Sequence, residues 1–157
     1  MDIRLGEKKD YLQLAELKWL HMEDDDITYN EDNLKGIDKE QFISDFISFL
    51  EGDNNYKIFV AEEDDVIISA MYLCIIPKLP KANRNSESIA YLTSVYTRKD
   101  YRNKNVGTKL ITYIKEYACD KKCELLFVWP SEKSVKWYCR NGFSSKNEIL
   151  ECVLREE

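Results

Sequence analysis

Two stretches of this 157-residue chain carry side chains whose types and spacing can do chemistry. The first runs from Val95 to Thr108 and passes from a strand-like pattern to a helix-like one through a basic loop. Arg98, Lys99, Arg102, Lys104 and Lys109 against Asp100 give it a formal local charge of about +4, inside a chain whose net charge is −6. The first amides of a helix lack intrahelical acceptors and carry the positive end of its dipole, so such a junction suits a phosphate or diphosphate. A solvated basic turn that only caps its helix has the same composition. The second stretch runs from Trp129 to Phe143 and holds two serines, Ser131 and Ser134, and a phenol, Tyr138, four residues before Gly142.

Other chemistries fit poorly. There is no Walker A lysine pattern and no G-x-G-x-x-G, which disfavours nucleotide hydrolysis and dinucleotide binding. His21 is the only histidine, and no Cys/His cluster has zinc-like spacing, so no metal site is expected. The five cysteines form no C-x-x-C pair and are odd in number, which reads as reduced, mostly buried thiols. The acidic net charge argues against nucleic acid as a partner. Without a long apolar run or a secretory leader pattern, a soluble cytoplasmic protein with no membrane contact is expected.

The elements that must position these residues follow from periodicity. Residues 2 to 6 read as a strand, Lys8 to Met22 as a helix, and Asp38 to Leu50 as a second helix with Asp38 as N-cap and Gly52 past its end. Residues 56 to 61 and 66 to 76 read as antiparallel strands joined by a turn in Glu62 to Asp65. A polar loop with Pro77 and Pro80 leads to a strand from Ile89 to Tyr96. A helix with Val106, Leu110, Ile114 and Ala118 on one face follows the basic loop. A strand from Leu125 to Trp129, a helix from Ser131 to Arg140, a turn at Asn141 and Gly142, and a last strand from Ile149 to Leu154 complete the order. The length suits one domain over residues 1–157, an α/β layout around one sheet.

With both stretches placed, a resemblance becomes specific. Arg102 to Gly107 is similar to the R-x-x-G-x-G/A turn of the GNAT superfamily of N-acetyltransferases, and Ser131 to Phe143 resembles that family's N-x-x-A-x-x-F-Y-x-x-x-G-F element. Asn105 stands where the family usually has its first glycine; Asn is among the residues that tolerate a left-handed backbone best. Ser131, Ser134 and Trp137 replace the usual Asn, Ala and Phe, while Tyr138, Gly142 and Phe143 match. The resemblance covers residues 88 to 143 well, and the N-terminal part by element order.

The resemblance implies a mixed, mostly antiparallel sheet flanked by helices, with a parallel strand pair splayed at the cofactor site. It implies acetyl-CoA as co-substrate, its diphosphate on the main chain from Arg102 through Asn103, Lys104, Asn105, Val106 and Gly107 to Thr108. The pantetheine arm would lie along the backbone of Val95, Tyr96 and Thr97, with Ser131 and Ser134 beside it. Tyr138 would act as general acid on the leaving thiolate during direct attack by a primary amine. For the amine proton, a water chain to Glu87 or to an acid of the 23 to 26 run remains open, as does His21. The acidic run Glu23, Asp24, Asp25 and Asp26, read as a loop with Glu31 and Asp32, suits a cationic small-molecule or peptide amine or is plain solvated surface. Lys78, Lys81 and Arg84 would flank the acceptor cleft. A homodimer is compatible with the sequence. Asn105 and the lack of a carboxylate on the Tyr91 to Ser94 strand motivate a rival reading, a non-catalytic GNAT-like domain that binds CoA or a peptide for regulation. A nucleotide-binding α/β protein is a third.

Overall fold

The charged tetrad turns the chain through its last two residues. Asp64 and Asp65 both take positive φ, 50° and 62°, the geometry of a two-residue hairpin loop between β2 (Tyr56–Glu63) and β3 (Val66–Pro77). This computed structural model describes residues 1–82, 87–145 and 149–155. With β1 (Asp2–Leu5), β4 (Ser88–Thr97) and β5 (Cys123–Phe127) the hairpin forms a five-stranded sheet in the order β1-β2-β3-β4-β5. Neighbours are antiparallel except β4 and β5, which run parallel.

Two features of β4 shape the middle of the sheet. Its pairing with β5 covers only Ser88 to Tyr91, so the parallel pair opens beyond that point. In the opening, Thr93 pairs with Tyr72 and Tyr96 with Ala70, leaving Ser94 and Val95 opposite the single residue Met71. That is a β-bulge, and Ser94 sits in it with φ +50°.

Helices cover both faces. On one side α1 (Tyr11–Tyr29) and α2 (Lys39–Glu51) bury Leu14, Leu17 and Leu50 against Ile58, Val60 and Tyr72. On the other, α3 (Val106–Asp120) buries Leu110, Ile111 and Ile114 against Phe59, Met71 and Leu92. Asp38 caps α2 as its sequence position predicts, accepting from the Gln41 amide at 2.8 Å. A short helix, α4 (Val135–Arg140), follows a 3-10 turn over Glu132–Ser134 and ends at Gly142, whose φ is +89°.

Three expectations fail. The first helix runs to Tyr29 rather than ending at Met22, because the acids that should break it find partners, as described below. Ile149 to Leu154 form no strand; Leu150 is 97% exposed and Leu154 89%, with no neighbouring strand to pair with among the described residues. The cysteines are free but not mostly buried: Cys119, Cys139 and Cys152 are exposed, Cys74 and Cys123 half-buried. Arg84 lies outside the described residues. No helix of the described residues is long and apolar enough to cross a membrane.

Candidate active site

The basic turn joins the bulged end of β4 to α3. Its backbone is unusual: Asn103 has φ +60° and Asn105, the N-cap of α3, has φ +61° and ψ +14°. Left-handed residues on either side of Lys104 give a backbone of the kind that can form an anion-binding concavity. From Asn103 through Lys104, Asn105, Val106 and Gly107 to Thr108 the amides have no acceptor among the described residues. The Arg102 amide does have one, the Lys99 carbonyl at 3.2 Å, so the open cradle begins one residue later than the motif suggests. Gly107 is needed where α3 meets α4, since a Cβ there would stand 3.0 Å from Trp137 Cζ2.

One side chain of the turn, Arg102, reaches back to β4 and α1. Arg102 donates from Nε to the Thr97 carbonyl at 2.9 Å and from Nη2 to Asp24 at 3.1 Å, and lies over the Tyr96 ring 5.2 Å from its centroid. The Thr97 hydroxyl meets Ser69 Oγ at 2.9 Å, locking the end of β4 to β3. Val95 is half-buried against the α3 side of the core.

Tyr138 is 7% exposed and packs edge-on between Trp137 and Phe143. Its hydroxyl has no hydrogen-bond partner among the described residues and is not fully buried. Burial, with a smaller effect of Tyr91, pushes the phenol up to about 12. Ser131 sits at the start of the 3-10 turn and donates to Ser134 Oγ at 2.9 Å, and Ser134 donates to the Ser131 carbonyl at 2.9 Å. The two hydroxyls thus pair with each other, and neither caps an amide.

The acidic run Glu23 to Asp26, read from the sequence as an acidic mouth or as solvated surface, lies within α1, and each member has a neighbour. Glu23 accepts from Trp19 Nε1 at 2.9 Å, and Asp25 lies 3.4 Å from His21 Nε2. Asp26 receives the amides of Asn33 and Leu34 at 2.8 and 3.1 Å, closing the chain after α1, whose end is capped by left-handed Asn30. Asp24 accepts from the Tyr96 hydroxyl, Lys99 and Arg102. Leu20, Ile27 and Leu34 form the apolar part of a cleft of about 750 Å³ between this end of α1 and the residues 98–100.

Above the bulge, Lys18 donates from Nζ to Ser94 Oγ at 2.9 Å, and burial lowers its pKa. His21 stacks on Tyr96 with ring centroids 4.9 Å apart, and burial first, then Lys18, lowers it to about 4. Lys18 carried no sequence signal, because α1 shows its contact with β4 only once the sheet is assembled.

An open parallel strand pair, a bulge at its mouth, a left-handed basic turn at the next helix and a buried phenol on the helix after it form one constellation. The family description "Acetyltransferase (GNAT) family" matches residues 14–143. The chain belongs to the GNAT family. Glucosamine 6-phosphate N-acetyltransferase 1 of Dictyostelium discoideum is 28% identical over 119 residues, 74% of this chain and 73% of that protein. The crystal structure of a predicted acetyltransferase with acetyl-CoA from Clostridium acetobutylicum shares the fold at TM-score 0.73 and 22% identity, covering 98% of this chain and 96% of that one. So does glucosamine-6-phosphate N-acetyltransferase from Arabidopsis thaliana, at TM-score 0.67 and 19% identity over 98% of each. This GNAT chain is accordingly an acetyltransferase.

Proposed function

We propose that the protein transfers the acetyl group of acetyl-CoA to a primary amine by direct attack, with Tyr138 as general acid. The observation that carries this reading is the run of unengaged amides from Asn103 to Thr108, set by two left-handed asparagines at the start of α3. The cradle suits a diphosphate, and Lys104 is exposed beside it. The pantetheine arm is assigned to the backbone of Val95, Tyr96 and Thr97, where the Tyr96 carbonyl already accepts from Ser69 Oγ and the Thr97 carbonyl from Arg102 Nε, with Ser131 and Ser134 as further contacts. An amide at the Ser94 bulge is suited to the oxyanion formed on attack.

Tyr138 stays protonated at neutral pH and can donate to the departing sulfur. Its raised pKa makes it a weak acid, so its contribution belongs near the low end of the usual range for general acids, about 10²-fold. His21 is a poor candidate for the amine proton, since a base lowered to about 4 is badly matched to an ammonium.

The acceptor reading follows the charges. Asp24 is paired with Lys99 and Arg102 and the Lys18 amine is held at Ser94, so this side offers cationic groups to an amine that also bears an anionic group. The D. discoideum relative is named for such a substrate, glucosamine 6-phosphate. The regulatory-domain reading loses one of its motives, because Asn105 adopts the backbone its glycine would.

The test is thiol release from acetyl-CoA over a panel of glucosamine 6-phosphate, glucosamine, an aminoglycoside and spermidine. Turnover is expected with the phosphorylated amino sugar ahead of the polyamine. Tyr138→Phe should lower kcat about 10- to 100-fold with the KM for acetyl-CoA within about twofold. An unchanged kcat removes Tyr138 from the chemistry, and no release with any amine supports a binding module.

A further inference from the structure

A cluster that no step above uses joins α1 to the anion turn. Asp24 is 8% exposed and accepts hydrogen bonds from the Tyr96 hydroxyl, from Lys99 Nζ at 2.8 Å and from Arg102 Nη2 at 3.1 Å. Arg102 is held on two further sides, by its bond to the Thr97 carbonyl and by the Tyr96 ring. Its guanidinium is therefore turned toward β4 and α1, while its main chain leads directly into the left-handed Asn103. Burial opposes the Asp24 charge, but the hydrogen bonds from Lys99 and Tyr96 outweigh it and keep the carboxyl below the usual carboxylate range. An ionised carboxylate next to a diphosphate cradle is electrostatically adverse, because like charges repel across a few ångströms of low-dielectric protein. Charge alone gives no reason to place it there; geometry does.

We propose that Asp24 is a positioning residue for the cofactor, bracing Arg102 and Lys99 against α1 so that the amides following Arg102 keep the arrangement an anion needs. The inference rests on reading the turn as the diphosphate site. It also assigns Arg102 a role through the turn's shape rather than through contact with phosphate. Two accounts of Asp24 then differ in sign. As a brace, its loss loosens the cradle and weakens CoA binding. As mere negative charge, or as a clamp that withholds Arg102 and Lys99 from the ligand, its loss tightens binding.

Calorimetric titration of CoA into the full-length protein separates these accounts. The wild type should bind. Asp24→Asn, nearly isosteric, should bind about fivefold more weakly, with KM for acetyl-CoA rising similarly and kcat at saturation within about twofold. The double variant Asp24→Asn/Arg102→Ala should bind less than fivefold more weakly than Arg102→Ala alone, because Asp24 acts in part through Arg102 and otherwise through Lys99. Equal or tighter binding by Asp24→Asn overturns the proposal, as do additive effects in the double variant. Where Asp24→Asn does not fold, Tyr96→Phe removes one donor from the carboxylate and leaves the ring in place. It should weaken binding about twofold, and unchanged affinity counts against the brace. Failure of the wild type to bind CoA is a separate outcome, which rejects the diphosphate reading itself.

Discussion

His21 shows how burial rewrites one side chain. On the sequence it is a lone histidine near a helix end, available as base or cap; in the fold it stacks on Tyr96 beside the Lys18 ammonium and is held neutral. Its folded pKa, about 4, lies below the ordinary value of 6.5. Between those values the unfolded chain binds a proton that the folded one refuses, so stability falls as pH drops through that window. The contribution is up to about 3 kcal/mol, at roughly 1.4 kcal/mol per unit of pKa difference. Thermal melts of wild type and His21→Phe between pH 4 and 7 test this: the variant should lose less Tm on acidification, and parallel curves would contradict a neutral buried ring. Asp24 is the opposite case, a charge retained under burial because three donors surround it.

At the scale of elements, the site depends on how closely α3 and α4 approach. Gly107 lies in the first turn of α3, and Trp137 in α4 fills the space a side chain would need. A methyl at position 107 would meet the indole at 3.0 Å, so Trp137 or α4 must give by a few tenths of an ångström. Gly107→Ala should therefore cost about 1–3 kcal/mol despite the better helix propensity of alanine, and should raise the KM for acetyl-CoA by displacing the cradle. Denaturant melts paired with steady-state kinetics read both effects; a stabilised protein with unaltered KM would show that Trp137 yields freely. The 3-10 turn and α4 likewise set the depth at which Tyr138 sits, which is why a six-residue helix with little stability of its own matters here.

For the whole molecule, the governing contrast is a cationic turn on an acidic protein. The net charge of −6 repels an anionic cofactor at long range, while the turn attracts it locally. Raising ionic strength screens both, but the nearby attraction is the larger loss. The KM for acetyl-CoA should therefore rise several-fold between about 0.05 and 0.3 M salt, with kcat nearly flat. A KM that falls with salt would mean that the overall repulsion dominates and that the main-chain cradle, not the lysines, carries attraction.

The amino-acid sequence by itself determined the hairpin turn, the α2 cap, the buried face of α3 and the two motifs that point to a GNAT chain. Those signals are local: a charged turn between β-rich runs, an Asp before an amphipathic stretch, apolar residues at helical spacing. Asn105 belongs with them, since its tolerance of positive φ is a property of the residue alone. Tertiary structure decided the rest. Glu23 to Asp26 looked like loop because acids are unfavourable at a helix C-terminus; in the fold Trp19, Asn33 and Leu34 donate to Glu23 and Asp26 nearby, and Asp24 meets distant Lys99 and Arg102. Ile149 to Leu154 looked like strand because apolar and β-branched residues report affinity for a sheet and not the presence of a neighbour to pair with. The opening between β4 and β5, the Ser94 bulge and the brace on Asp24 arise from contacts across up to 78 residues of chain, and no local pattern encodes such a contact.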